Sequence, residues 1–152
     1  MRALAFLLAV LLAAVAFALA EVQIEGRNGW AAALPTWRID NRWTRILMGG
    51  RPLTGYHLYV HLFLLILLHV PFALEMSEPT LPREMRIFAF LILFWVAEDF
   101  LYFVFNPAFG LRRFSKQHIP WHPHWWWILP REYWIFAPLG IALYGASSHL
   151  AG

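Results

Sequence analysis

Two adjacent carboxylates, Glu98 and Asp99, stand inside a run of apolar residues, and this is the most informative chemistry in the chain. A carboxylate within a spanning helix costs about 2.5–3.5 kcal/mol on insertion scales, so such a pair needs cations, hydrogen-bond donors or a metal. On an ideal helix Glu98 lies about 12 Å below Asn106, inside the run but nearer its C-terminal end. Tyr102 shares its side one turn on, while Asp99 is turned toward Trp95 and Phe103. A purely structural reading pairs one carboxylate with an arginine such as Arg112 or Arg113.

Imidazoles supply the complementary groups. His57 and His61 are spaced i,i+4 at the start of another apolar run, so both face one way on a helix. The spacing recurs at His118 and His122, with His124 two residues on, although Pro120 and Pro123 keep these three off a regular helix. Taken singly, each histidine is an ordinary interfacial residue bonding headgroups or backbone carbonyls. Taken together, antiparallel helices bring five imidazoles and two carboxylates to one end. The expectation is that His57, His61, Glu98 and at least one of His118, His122 and His124 surround a common pocket. Without metal, Glu98 should hydrogen-bond one of these imidazoles. His69 is too deep to join, and His149 belongs to the opposite end. The sequence has no cysteine, so the candidate ligands, His57, His61, Glu98, His118, His122 and His124, are all N/O donors. Such donors suit iron, zinc or copper, at about 2.0–2.2 Å. Asp99 and Tyr102 are candidate acid/base groups beside Glu98.

The elements that position these residues are four apolar blocks: 3–20, 58–74, 87–105 and 133–150. Hydrophobic residues make up 61% and charged residues 14%. This is more apolar and less charged than a soluble domain, which averages about 45–50% and 25%. The expected fold is an all-α integral membrane bundle of three to four transmembrane helices. Residues 1–20 read either as a transmembrane helix or as a signal peptide ending Ala18-Leu19-Ala20, with a lean to a retained helix. Residues 21–152 read as the membrane domain. Arg38, Arg42 and Arg45 repeat on one side of Thr36–Met48, opposite Ile39, Trp43, Ile46 and Leu47. That pattern predicts an interfacial amphipathic helix capped by Thr36. Trp121, Trp125, Trp126 and Trp127 mark a second interfacial segment.

Nine of the twelve Lys and Arg residues fall in these two segments, 27–51 and 112–131. The bundle should bring both to the same face. Surrounded by aromatic and apolar residues, the charges suit membrane lipids rather than nucleic acid. The count of Lys and Arg puts this face inside the cell. Arg2 before the first block, with Glu21 and Glu25 after it, puts it outside, and the reading leans that way.

Glu98-Asp99-Phe100-Leu101-Tyr102, followed by His118, His122 and His124, resembles the histidine-rich membrane hydroxylases and desaturases. The likeness covers about a third of the chain. It implies a helical protein using iron and oxygen on lipid chains. The chain departs from that pattern in having seven histidines and no adjacent pair, so the likeness implies one ion or a carboxylate-assisted pair. The strings 29–37 (GWAAALPTW) and 121–125 (WHPHW) resemble a bacterial integral membrane family to which no activity attaches. Phosphate-binding glycine loops, a nucleophile elbow and a haem-attachment motif do not occur in the sequence. Haem held by two histidines stays open.

The expectation that follows is a metal-dependent enzyme of the bacterial inner membrane, multi-pass, acting on a lipid-like or apolar substrate. It would work alone, as a homo-oligomer or within a larger membrane complex. The alternatives are a non-enzymatic accessory subunit and a proton or ion relay using Glu98 and Asp99.

Overall fold

A computed structural model describes residues 2–150; positions 1, 151 and 152, at the outer edges of the expected regions 1–20 and 21–152, lie outside it. The described chain is mostly helical. Four long helices, α1 (Arg2–Glu25), α3 (Gly55–Leu74), α4 (Leu81–Phe105) and α5 (Arg131–Leu150), are joined by two long polar segments, 26–54 and 106–130, and a short turn, 75–80. Three of them are long and apolar enough to cross a membrane: Ala3–Glu25 within α1, α3 and α4. The fourth apolar block forms α5, a 20-residue helix outside that set.

Helix α4 is central, packed on α1 along one side and α5 along the other. Val10, Ala14 and Ala18 of α1 are buried, and the two alanines let the backbones approach. Val10 and Ala14 close on Phe94, with Phe17 edge-on to both Phe94 and Trp95. Gly140 does the same for α5, since a Cβ there would lie 2.7 Å from Leu93 Cγ on α4. Helix α3 is attached differently. Its close backbone contacts are with the strand that precedes it, and it reaches α1 and α4 through side chains such as Leu64.

The helix ends have local causes. Gly26, at φ +62°, ends α1 in the left-handed conformation that glycine adopts freely. Its carbonyl accepts hydrogen bonds from Tyr102 Oη at 2.5 Å and Asn106 Nδ2 at 2.6 Å, which ties the ends of α1 and α4 together. Thr54 caps α3 by accepting from the His57 N–H at 3.2 Å. Around Trp121, the side chains of Phe103, Phe109 and Ile119 form a second core beneath the Asn106–Pro130 segment.

The expected amphipathic helix over Thr36–Met48 is corrected. Only Arg42–Leu47 is helical (α2), and Arg38–Ile39 (β1) pairs antiparallel with Leu53–Thr54 (β2). Thr36 does not cap it, because its Oγ1 accepts the Tyr56 N–H at 3.0 Å. Asn41 is the cap, accepting from the Trp43 and Thr44 N–H groups at 2.9 Å each. Trp125–Trp126 (β3) and Leu129–Pro130 (β4) make a short hairpin just before α5.

Candidate metal and proton-handling site

The two polar segments meet at the end of the bundle where α1 and α4 finish and α3 and α5 begin. Gly29 makes room for Trp121, whose Cζ2 would lie 2.5 Å from a Cβ at that position, and Gly50 makes room for Pro123. Beneath this junction lies a cavity of about 510 Å³.

One wall is acidic. Glu21 and Glu25, one turn apart on α1, face His57 on α3. Ligand atoms of the three lie within 4.8 Å of one another, so the group could hold a metal ion. Glu98 joins from α4 and lines the same cavity as Glu21. Buried carboxyl groups gathered in this way require a shared proton or a cation among them. Glu98 is only 2% exposed, and its Oε1 has no partner.

The surroundings hold this wall in place. Tyr56 Oη donates to Glu21 Oε1 at 3.2 Å, and the Ala31 N–H donates to Glu25 Oε1 at 2.5 Å. Trp30 and Ala31, at φ +45° and +53°, are both left-handed without being glycine, a conformation costing roughly 1–2 kcal/mol per residue. That strained turn aims an amide at Glu25 and stacks the Trp30 ring on His57, centroids 3.9 Å apart. His57 Nδ1 lies 2.7 Å from Thr54 Oγ1, and its Nε2 is turned toward Glu25 Oε1 at 3.7 Å. A hydrogen-bond partner on one ring nitrogen, here a hydroxyl, with the other left for an ion is the arrangement that orients a metal-binding histidine.

The other wall is a chain of paired groups. Asp99 Oδ2 accepts from His122 Nε2 at 3.0 Å and from the Tyr133 hydroxyl. His122 is 2% exposed; its Nδ1 and Glu132 Oε2 stand 4.0 Å apart, each buried without a hydrogen-bond partner. Arg131 Nη2 donates to Glu132 Oε1 at 3.1 Å. Arg51 lays its guanidinium over Trp30, 3.7 Å from the ring centroid, and its Nε donates to the Met48 carbonyl at 2.9 Å. Burial lowers the Arg51 pKa from its ordinary value, and Asp99 and Glu132 oppose that shift by favouring its charge.

Six buried side-chain atoms lack a partner among the described residues. Five of them, on Arg51, Glu98, His122, Arg131 and Glu132, belong to residues lining this cavity. Folded proteins leave few such atoms, so this concentration marks a place built to receive something polar.

Of the residues singled out from the sequence, His57, His61, Glu98, Asp99, Tyr102 and His122 line the cavity. His118 and His124 do not; both are exposed, and His118 Nδ1 lies 2.9 Å from Ser115 Oγ. Pro120 and Pro123 turn the backbone so that His122 alone points inward. The hydrogen bond expected between Glu98 and an imidazole is made by Asp99 instead. Arg112 and Arg113 are exposed, Arg113 donating to the Ala108 carbonyl at 3.0 Å, so neither pairs with Glu98. His61 Nδ1 must donate to the His57 carbonyl at 2.6 Å, which leaves Nε2 as an acceptor. His69 lies toward the other end of α3, with Glu84 at 3.1 Å.

Sequence reasoning missed Glu21 and Glu25, treating them as the flank of an apolar block. Their signal was spacing, since Val10, Ala14, Ala18, Glu21 and Glu25 recur every three or four residues and form one helix face. No family model, curated protein or solved structure matches this chain.

Proposed function

We propose that this protein is a metal-dependent enzyme of the bacterial inner membrane, multi-pass, acting on a lipid-like or apolar substrate. The observation carrying this reading is the convergence of Glu21, Glu25 and His57 within 4.8 Å, with the buried Glu98, whose Oε1 has no partner, lining the same cavity. Compared with the set expected from sequence, the ligands become Glu21, Glu25 and His57 with Glu98 adjacent, and His61 and His122 face the same space. A donor set with three carboxylates and one imidazole fits iron, zinc or copper through the imidazole, and its carboxylate excess also admits manganese. When bound, the ion would supply Lewis acidity or, as iron, redox chemistry with oxygen.

The chain's own residues divide the remaining work. Thr54 and Trp30 fix the His57 ring. Asp99 holds His122 by Nε2 and leaves Nδ1 toward the cavity, the arrangement of an oriented general base. Tyr102 is less suited to proton transfer, because its hydroxyl is committed to the Gly26 carbonyl. Ile92, Trp95, Val96, Ile135 and Phe136 supply an apolar lining.

A proton relay is the second reading. It is favoured by the His122 Nδ1–Glu132 Oε2 gap of 4.0 Å, which one bridging water could close, and by Glu21 and Glu98 lining the same cavity. Metal analysis of protein purified in detergent separates the two. The enzyme reading expects about one equivalent of iron, zinc, copper or manganese, lost in both Glu25→Gln and His57→Ala and kept in Arg113→Gln. Wild-type protein that is folded, monodisperse and metal-free after growth in metal-supplemented medium overturns the enzyme reading and favours the relay.

A further inference from the structure

We infer that the β3–β4 hairpin and the end of α2 are inserted into the lipid leaflet at the cavity end, with glycerol groups and acyl chains covering Trp127, Ile128 and Leu47. This rests on the proposed membrane placement and names a lipid-contacting surface outside the long helices.

The hairpin carries an unsuitable residue for a turn in water. Trp127 and Ile128 are its central residues, between the paired Trp126 and Leu129. Two-residue hairpin turns favour glycine, asparagine or aspartate where φ is positive. Trp127 holds φ +53° there and is 84% exposed, with Ile128 57% exposed beside it. The left-handed region is disfavoured for a residue with a Cβ. Neither the turn nor water rewards a tryptophan at this tip, whereas a membrane interface does.

Helix packing sets the depth of the tip. Gly140 of α5 lies against Leu93 of α4, and Tyr133 reaches Asp99, so the two helices run antiparallel. Trp134 precedes Gly140 by as many residues as Asp99 follows Leu93, so Trp134 and Asp99 are level. The apolar stretch 87–105 of α4 is about 28 Å long, close to the roughly 30 Å of a hydrocarbon core, so Phe105 marks its edge. Asp99 then lies about 9 Å inside that edge. Trp134 Nε1 donates to the Trp126 carbonyl at 3.0 Å, and the Trp127 and Trp134 rings have centroids 6.4 Å apart, which folds the hairpin back beside this turn of α5. The end of α2 reaches the same turn. A Cβ on Gly49 would lie 3.4 Å from Glu132 Oε1, and Leu47, 74% exposed, shares the cavity rim with Ile135 and Phe136. Both tips therefore sit in the outer part of the core, where the apolar faces of interfacial elements lie, about 5–10 Å deep.

Charge identifies the cover as lipid. Arg27, Arg42, Arg112 and Lys116 are exposed on α2 and on the segments joining the long helices at this end. Apolar tips with cations on the neighbouring backbone match a bilayer, whose acyl chains lie beneath anionic phosphates.

The test uses the absence of cysteine from the sequence, which lets single spin labels be placed on an otherwise unaltered chain. Ile128→Cys and Leu47→Cys, both at exposed positions, are labelled with a nitroxide in vesicles of phosphatidylethanolamine and phosphatidylglycerol. Phe63→Cys, exposed within α3, and Lys116→Cys serve as references. Collisions with oxygen and with a water-soluble nickel chelate are read by power saturation and calibrated with spin-labelled lipids. The Ile128 and Leu47 labels should favour oxygen, as Phe63 does, at a depth of about 5–10 Å, while Lys116 favours nickel. Nickel collisions at either tip equal to those at Lys116 overturn the inference. Tip labels closed to both reagents, or broadened by a second label nearby, overturn it too, because the cover is then protein. A Phe63 label open to nickel removes the membrane placement and this inference with it. A Phe63 label in hydrocarbon with the tips in water removes this inference alone.

Discussion

Removing the Tyr133 hydroxyl tests whether Asp99 is the hub joining α4, α5 and the His122 loop. Tyr133→Phe keeps a ring that is 8% exposed and deletes one donor to Asp99 Oδ2, leaving the His122 Nε2 bond at 3.0 Å. Hydrogen bonds to charged groups contribute about 1.5–3 kcal/mol in soluble proteins. Cycles inside membrane proteins average about 0.6 and reach about 1.7 kcal/mol. A bond at the rim of a cavity that can admit water should cost about 1–2 kcal/mol when lost. Asp99→Ala leaves two buried donors without an acceptor, at about 1–3 kcal/mol each, so its cost should be about 2–6 kcal/mol. Once Asp99 is gone, the Tyr133 hydroxyl is an orphan, and its removal should relieve about 1–3 kcal/mol. The double variant should therefore be more stable than Asp99→Ala, a coupling of about 2–5 kcal/mol. The assay is reversible unfolding in mixed dodecyl maltoside and SDS micelles, followed by circular dichroism. A Tyr133→Phe cost below about 0.3 kcal/mol, or simple additivity in the double variant, refutes the hub.

Gly26→Ala and Gly29→Ala separate strain from clash, because both glycines are left-handed (φ +62° and +60°) and only Gly29 abuts Trp121. The first should cost about 1–2 kcal/mol. The second should cost a further 1–3 kcal/mol or so in the same unfolding assay. Arg45 holds the Asp40 carboxyl below its ordinary pKa. Any stabilisation from that exposed pair is present above the ordinary carboxylate value and fades as pH falls through the lowered one. Asp40→Asn should unfold like wild type at neutral pH in about 0.15 M salt. Intact-mass spectrometry of the purified protein should find residues 1–20 still attached, since Ala14 and Ala18 are fully buried and Glu21 and Glu25 stand in the cavity.

The long helices were legible because their apolar runs are long and carry few charges, and Glu98 stood out because a carboxylate in such a run demands an explanation. The grouping of His57, His61 and Glu98 followed from antiparallel packing alone. What failed was competition among local options. Thr36 and Asn41 are both competent caps, and only the pairing of Arg38–Ile39 with Leu53–Thr54 decides between them. The same holds at 118–124, where three histidines are equivalent in sequence and two prolines admit only His122. Arg51, Arg131 and Glu132 were invisible as site residues because nothing local distinguishes them from other loop charges.

The position of α3 between two helices that pack on each other has a consequence for biogenesis. Glu21 leaves the ribosome well before Glu98, its neighbour in the finished protein, and at about 5–20 residues per second the interval is about 4–15 s. During that time α1 carries two carboxylates on its packing face while α4 is still being made, and only His57 has emerged to meet them. The first helix must wait for the third long one, so the acidic wall is assembled late. A defect introduced in α4 would therefore be felt first as failure to retain α1.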